Sequence, residues 1–171
     1  MQPFVLSCIL NSKVKHSRIA TEKRKGTTMA AIVKELSIEA APQRVWGALT
    51  QQDEIVQWWA NEARVKPEVG SLGEFRFRPP AGVLQFEVAE LDEGSKIHWI
   101  SRKGPPQWSG TSVTWQLTPV QNGTQVVFTH EGFVKKDEVF EQTRGNWQYF
   151  LDSLKSYLET GKGTPGFPVF V

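Results

Sequence analysis

A long proline-free segment near the C-terminus, residues 136–160, constrains the fold of this chain more than any other feature. Large apolar side chains recur in it at spacings of three and four residues, which is the period of one face of an α-helix. The pattern predicts a helix of about seven turns. Its apolar positions are Phe140, Trp147, Leu151, Leu154 and Leu158, with Val139, Phe150 and Tyr157 beside them. A helix this long and amphipathic needs a broad apolar surface to cover.

The middle of the chain supplies such a surface, because short runs of residues there alternate between apolar and polar side chains. Glycine, proline, aspartate and asparagine separate the runs, and Gln-Asn-Gly at 121–123 is a strong turn signal between two strands. Consecutive strands joined by short turns form an antiparallel meander. The predicted strands cover 74–78, 84–89, 97–99, 113–117 and 126–130, and a further strand at 32–38 precedes them.

Two short helices are predicted between the first strand and the meander. Pro42 suits the first position of a helix that ends near Thr50. A second helix is expected at 53–60, with Asp53 near its start. The order is therefore strand, two short helices, five or six antiparallel strands and one long helix. It predicts an α+β fold in which a curved antiparallel sheet wraps around the C-terminal helix.

Charge is distributed unevenly between the N-terminus and the rest of the chain. Six of the 20 basic residues but only one of the 18 acidic residues lie within 1–28, which leaves 14 against 17 and a net charge of −3. We expect 1–28 to be a disordered basic extension, with a natural start at Met29 preferred over a transit segment. The folded domain is expected at 29–162, followed by a tail at 163–171.

Several classes of protein are disfavoured by composition. No apolar run approaches the roughly 18 residues of a membrane span. The single cysteine, Cys8, excludes an intramolecular disulfide and a cysteine-based zinc site, and we expect a cytoplasmic protein. Nucleic-acid binding is not expected, because Arg76 and Arg78 lie on the opposite strand face from Phe75 and Phe77.

Five segments carry a recognisable set of residues: APQRVWGALT (41–50), IVQWW (55–59), VGSLGEF (69–75), GTQVVFTHEGF (123–133) and GNWQYFLDSLKSYL (145–158). Together they resemble the family named for activators of the ATPase of the ninety-kilodalton heat-shock protein, within the START-like, or SRPBCC, helix-grip superfamily. The resemblance covers residues 30–162. It implies the helix-grip fold, whose element order is the one derived above.

The resemblance also implies a function. We expect a non-catalytic binding module that holds a hydrophobic or amphipathic small molecule in an aromatic-lined cavity between the sheet and the C-terminal helix. The alternative is a co-chaperone-like domain that acts on a heat-shock ATPase, although the eukaryotic co-chaperones carry a separate N-terminal domain for which we expect no room here. A weaker alternative is a cyclase or hydrolase that uses the same cavity. No cofactor is expected.

The residues predicted to line the cavity point between sheet and helix by strand alternation and helical phase. They are Phe75, Phe77, Phe86, Trp99, Trp115, Phe128, His130, Trp147, Leu151 and Leu154. A filled core is the alternative for the same residues. Trp46, Trp58 and Trp59 on the short helices are assigned to core packing.

No catalytic or metal site is predicted. The three histidines lie in the N-terminal segment and on two different strands, without the spacing of a metal motif. His130 and Glu131 are adjacent in one strand, so their side chains point to opposite faces of the sheet. Because His130 shares a face with Val126 and Phe128, a structural role is favoured over catalysis, and orienting a ligand is its expected contribution to function.

Overall fold

The structure is a computed structural model that describes residues 29–79 and 82–167. These residues form one sheet with the strand order β1-β7-β6-β5-β4-β3-β2, all antiparallel. The strands are β1 (Ala30–Ile38), β2 (Glu62–Arg64), β3 (Leu72–Arg76), β4 (Val83–Asp92), β5 (Lys96–Lys103), β6 (Ser112–Val120) and β7 (Gly123–Phe133). The helices are α1 (Pro42–Thr50), α2 (Gln52–Ile55) and α3 (Glu138–Thr160). The predicted α+β helix-grip fold is confirmed.

The expected basic extension and the last four residues of the expected tail lie outside the described residues. In the described part, register shifts in β1 and β4 mark irregularities that bend the sheet. No helix of this part combines the length and apolarity needed to cross a membrane.

The second helix is shorter than expected and is followed by turns through Trp59. In these turns, Trp58 is fully buried and donates its indole N–H to the carbonyl oxygen of Ala48 at 2.8 Å. The carbonyl oxygen of Trp58 accepts a hydrogen bond from the Ser153 hydroxyl of α3 at 2.7 Å. The backbone N–H of Asn61 then donates to the carbonyl oxygen of Arg76 in β3 at 2.9 Å, so the chain has joined the sheet at this residue instead of continuing as a helix. The short strand β2, which follows, has no apolar alternation and was not predicted.

α3 begins and ends as its sequence indicates. The side chain of Asp137 accepts a hydrogen bond from the backbone N–H of Phe140 at 3.1 Å, which caps the first turn. Gly161 ends the helix in the left-handed conformation, with a φ of 77°. The face toward the sheet is buried and consists of Phe140, Thr143, Trp147, Phe150, Leu151, Ser153 and Leu154.

Aromatic rings fill most of the layer between α3 and the sheet. Trp59 occupies its centre, with ring centroids 4.5 Å from Phe75, 6.0 Å from Trp99 and 5.5 Å from Trp147. Such rings each bury roughly 150–250 Å² and dominate the energetics of a core of this size. The layer is therefore a packed core over most of its extent.

The turn between β6 and β7 generates the first prediction. Gly123 has a φ of 151°, and a Cβ atom there would collide with the carbonyl oxygen of Ile38. We expect Gly123→Ala to lower the free energy of unfolding by at least about 2 kcal/mol. The control is Gly145→Ala within α3, where nothing lies within 4 Å of the added methyl group. It should stabilise by roughly 0.5–1 kcal/mol. Denaturant unfolding of the parent and both variants measures these changes in the free energy of unfolding. Equal changes in the two variants would contradict the prediction.

Candidate functional site

A cavity of about 500 Å³, partly open to solvent, lies beside the N-terminal half of α3. Helix positions at three- and four-residue spacing form one wall. The rest comes from the segment between α2 and β2, the residues after β3, the start of β4, the β5–β6 loop and the segment after α3. Its lining residues are Trp59, Asn61, Arg78, Pro79, Leu84, Pro105, Trp108, Val139, Gln142, Thr143, Asn146, Trp147, Phe150, Pro165, Gly166 and Phe167. This volume falls in the usual range of small-molecule sites.

Two tryptophans dominate the cavity wall. The rings of Trp108 and Trp147 are nearly parallel, with an interplanar angle of 12° and a centroid distance of 6.2 Å. Both side chains are buried, so most of each ring packs against protein and only a limited part faces the cavity. The ring of Phe150 lies 6.4 Å from that of Trp147 and 5.1 Å from that of Phe167. Aromatic rings thus follow one another along the wall from Trp108 to Phe167.

The loop between β5 and β6 holds Trp108 in place. Gln107 has a positive φ of 72°, which is unfavourable for a residue with a side chain. Its side-chain amide donates to the Asp137 carboxylate at 2.7 Å and accepts from the backbone N–H of Lys135 at 3.3 Å. Gly104 lets the Trp108 ring approach, since a Cβ atom there would lie 3.0 Å from that ring. The loop is therefore fixed to the start of α3.

A chain of hydrogen bonds connects the two cavity tryptophans through a buried histidine. The indole N–H of Trp147 donates to Nδ1 of His130 at 2.9 Å, and Nε2 of the same ring lies 2.8 Å from Oγ1 of Thr111. The Thr111 hydroxyl donates to the carbonyl oxygen of Trp108 at 2.6 Å. Because Nδ1 accepts, the neutral ring carries its proton on Nε2 and donates it to Thr111. Every polar atom of the His130 ring is then satisfied.

This environment keeps His130 uncharged. The side chain is fully shielded from solvent, and burial lowers its pKa from 6.5 to about 3. Among the described residues no carboxylate contacts the ring, and a proton on Nδ1 would oppose the indole N–H of Trp147. His130 is therefore a neutral structural group at ordinary pH. It contacts the cavity wall from behind, through the hydrogen bond to Trp147 and through the Trp108 ring, whose centroid lies 4.8 Å away.

The polar side chains of the cavity are few. The Thr143 hydroxyl accepts a hydrogen bond from the indole N–H of Trp108 at 3.1 Å, and Oδ1 of Asn61 accepts one from the backbone N–H of Arg78 at 3.0 Å. Gln142 and Asn146 make no side-chain hydrogen bond to another described residue. Across residues 29–79 and 82–167, no group of three or more His, Cys, Asp or Glu could hold a metal ion.

The structure distributes the ten predicted cavity residues over different places. Trp147 lines the large cavity. Three others, Phe75, Phe86 and Trp99, line a second cavity of about 20 Å³, which has room for about one water molecule. The remaining six line neither cavity and are buried in the core: Phe77, Trp115, Phe128, His130, Leu151 and Leu154.

Several lining residues were not identified from the sequence. Trp108 lies in a loop without periodicity, Phe167 follows the end of α3, and Trp59 was assigned to core packing. The sequence indicates lining residues only in α3, because the helical period places Val139, Thr143, Trp147 and Phe150 on one face. Gln142 and Asn146 lie beside that face but are polar, so the expectation of an aromatic lining did not include them.

Comparisons with known proteins identify a family and a fold. The model of the family described as Activator of Hsp90 ATPase homolog 1-like protein matches residues 39–159. The solution structure of the Aha1 dimer from Colwellia psychrerythraea is 34% identical, with a TM-score of 0.73, and the match covers 79% of this chain and all of that one. A protein from Mesorhizobium loti is 27% identical, with a TM-score of 0.65 and coverage of 75% and 96%.

A protein from Staphylococcus saprophyticus, at 20% identity and a TM-score of 0.67, shares the fold; the match covers 81% of this chain and 98% of that one. No curated protein matches.

The neutral histidine makes stability depend on pH in a defined direction. Because the folded-state pKa lies below the unfolded value of 6.5, the contribution of His130 is complete above pH 6.5 and is lost as the pH falls toward 3. In that range we expect the free energy of unfolding to fall by about 1.4 kcal/mol per pH unit on account of this residue.

Denaturant unfolding at pH 7, 6, 5 and 4 measures this loss, which should be absent from His130→Gln. The control, His98→Gln on the opposite face of β5, should retain it. A parent chain and a His130→Gln variant with parallel pH profiles would contradict the assignment.

Proposed function

This chain belongs to the family of Activator of Hsp90 ATPase homolog 1-like proteins, and we propose that it is a non-catalytic binding module for a hydrophobic or amphipathic small molecule. The ligand occupies the cavity between α3, the strand ends and the β5–β6 loop. The single observation that carries this proposal is the cavity of about 500 Å³ with tryptophan and phenylalanine side chains in its wall.

The composition of the wall supports an apolar ligand. Aromatic, aliphatic and proline side chains make up most of it, and the few polar groups are spread around it. Small-molecule sites typically combine an apolar wall with a small number of polar groups that orient the ligand. The hydrogen bonds of Trp108 and Trp147 fix both rings in advance, so little conformational entropy is lost when a ligand binds against them.

The same wall favours binding over catalysis. The described lining residues include no carboxylate, histidine, cysteine or serine. Its one hydroxyl, that of Thr143, accepts a hydrogen bond from Trp108 and has no base beside it among the lining residues. A hydrolase needs an activated nucleophile or a general base within hydrogen-bond reach of the substrate. The cyclase or hydrolase alternative therefore has less support than simple binding.

A substitution that fills the cavity tests the proposal. Asn146 is a lining residue of α3, and Asn146→Phe should reduce the affinity for the neutral fluorescent probe N-phenyl-1-naphthylamine at least tenfold by occupying the space. The matched control is Gln148→Phe on the exposed side of α3, which should bind as the parent does. Probe fluorescence and quenching of tryptophan emission give two readouts. No binding to the parent, or equal binding by all three proteins, would contradict the proposal.

The second candidate function is that of a co-chaperone-like domain acting on a heat-shock ATPase. It is favoured by the 34% identity to the Colwellia protein, which carries the name Aha1, over that protein's whole length. We expect the purified chain to raise the ATPase rate of a ninety-kilodalton heat-shock protein by no more than a small factor. A saturable, stoichiometric stimulation that persists in Asn146→Phe would instead assign the function to the surface of the domain.

A further inference from the structure

Arg78 differs from every other residue of the cavity wall. It is the only charged side chain among the described lining residues, and no aspartate or glutamate accompanies it there. It lies two residues after the end of β3 and is exposed to solvent. A single positive charge is therefore placed at a wall whose other described residues are uncharged and mostly apolar.

The guanidinium group of Arg78 has no carboxylate partner in the described part of the chain. Of the five other arginines in this part, Arg64 likewise has no ion pair, and four form one at 2.5–2.7 Å: Arg44, Arg76, Arg102 and Arg144. The backbone of Arg78 is nevertheless held, because its N–H donates to Oδ1 of Asn61 at 3.0 Å. With Oδ1 used in this way, the amide NH₂ of Asn61 is a second donor at the same end of the cavity.

We propose that the cavity selects an amphipathic anion, namely an aromatic or alicyclic ring system that carries one carboxylate or sulfonate group. The anionic group binds the Arg78 guanidinium and the Asn61 amide, and the rings lie against Trp147 and Trp108. This inference rests on the proposed binding function and specifies its ligand class. Arginine suits the role because its planar donors match the two oxygens of a carboxylate.

The dimensions of the cavity fit such a molecule. The lining positions of α3 run from Val139 to Phe150, which at 1.5 Å per residue is about 16 Å along the helix axis. Arg78 lies at the Phe150 end, because the ring of the preceding Phe77 is 5.9 Å from Phe150 and 4.9 Å from Phe167. Trp108 lies beside Thr143, toward the other end. A molecule of two or three rings with a charge at one end spans this distance.

A cationic ligand is disfavoured by the same residues. Tryptophan faces attract cations, but the described wall offers no carboxylate to neutralise one, and Arg78 would repel it. Because Arg78 is exposed, a neutral ligand can bind while water solvates the guanidinium, but only an anion gains an ion pair with it. The wall therefore favours a negatively charged ligand.

A pair of probes that differ in charge tests the inference. 8-Anilinonaphthalene-1-sulfonate is an anion, and N-phenyl-1-naphthylamine has the same ring system without the sulfonate. In Arg78→Gln the affinity for the anion should fall about five- to tenfold, while that for the neutral probe should stay within twofold. Added salt should weaken anion binding more in the parent than in the variant. Arg78→Gln keeps the backbone hydrogen bond to Asn61, so the wall is retained.

The matched control is Arg102→Gln, which removes an arginine from the outer face of the sheet, away from the cavity. It should leave both affinities within twofold of the parent. The inference is overturned if Arg78→Gln changes both probes equally, changes neither, or acts no more strongly than Arg102→Gln. If neither probe binds the parent chain, the proposed function itself fails, so the two failures are distinguishable.

Discussion

The buried ring of His130 joins three parts of the molecule that are far apart in sequence. Its Nδ1 atom receives the indole N–H of Trp147 on α3, and its Nε2 atom contacts Thr111, which in turn binds the carbonyl oxygen of Trp108. The neutral imidazole therefore holds the Trp147 ring directly and the backbone of Trp108 through Thr111, while Thr143 holds the Trp108 indole N–H. An uncompensated charge on the imidazole would be costly at such depth, so we expect its protonation to disturb the fold and the cavity wall together.

Packing decides where the cavity lies. The centre of the layer between sheet and helix is filled by Trp59 and the rings around it, so no large space remains there. Toward the start of α3, the wall is made by a loop and by the segment after the helix, and these leave about 500 Å³ open. The hydrogen bonds of Gln107 to Asp137 and Lys135 hold that loop at the start of α3.

Family membership identifies the kind of domain, whereas the cavity bears on what the domain binds. The family match establishes what kind of domain this is, and similarity to solved structures below 25% identity establishes only the fold. The proposed ligand rests instead on the described side chains of the cavity: aromatic rings fixed by hydrogen bonds, no carboxylate, histidine, cysteine or serine among them, and one arginine. These are the features from which we propose a ring system with a negative charge.

Local patterns in the sequence determined the elements of the fold. The three- and four-residue spacing predicted α3, alternation predicted five strands of the meander, and Gln-Asn-Gly predicted the last turn, because each signal lies within a few neighbouring residues. Alternation also showed that Trp99 and Trp115 face inward. Only the tertiary structure decided that their neighbours fill the space around them, and that Trp108, Phe167 and Arg78 enclose the cavity. These residues come from a loop, the segment after α3 and the end of a strand. The space between them depends on how side chains from distant elements pack together. The periodicity of neighbouring residues carries no information about such packing.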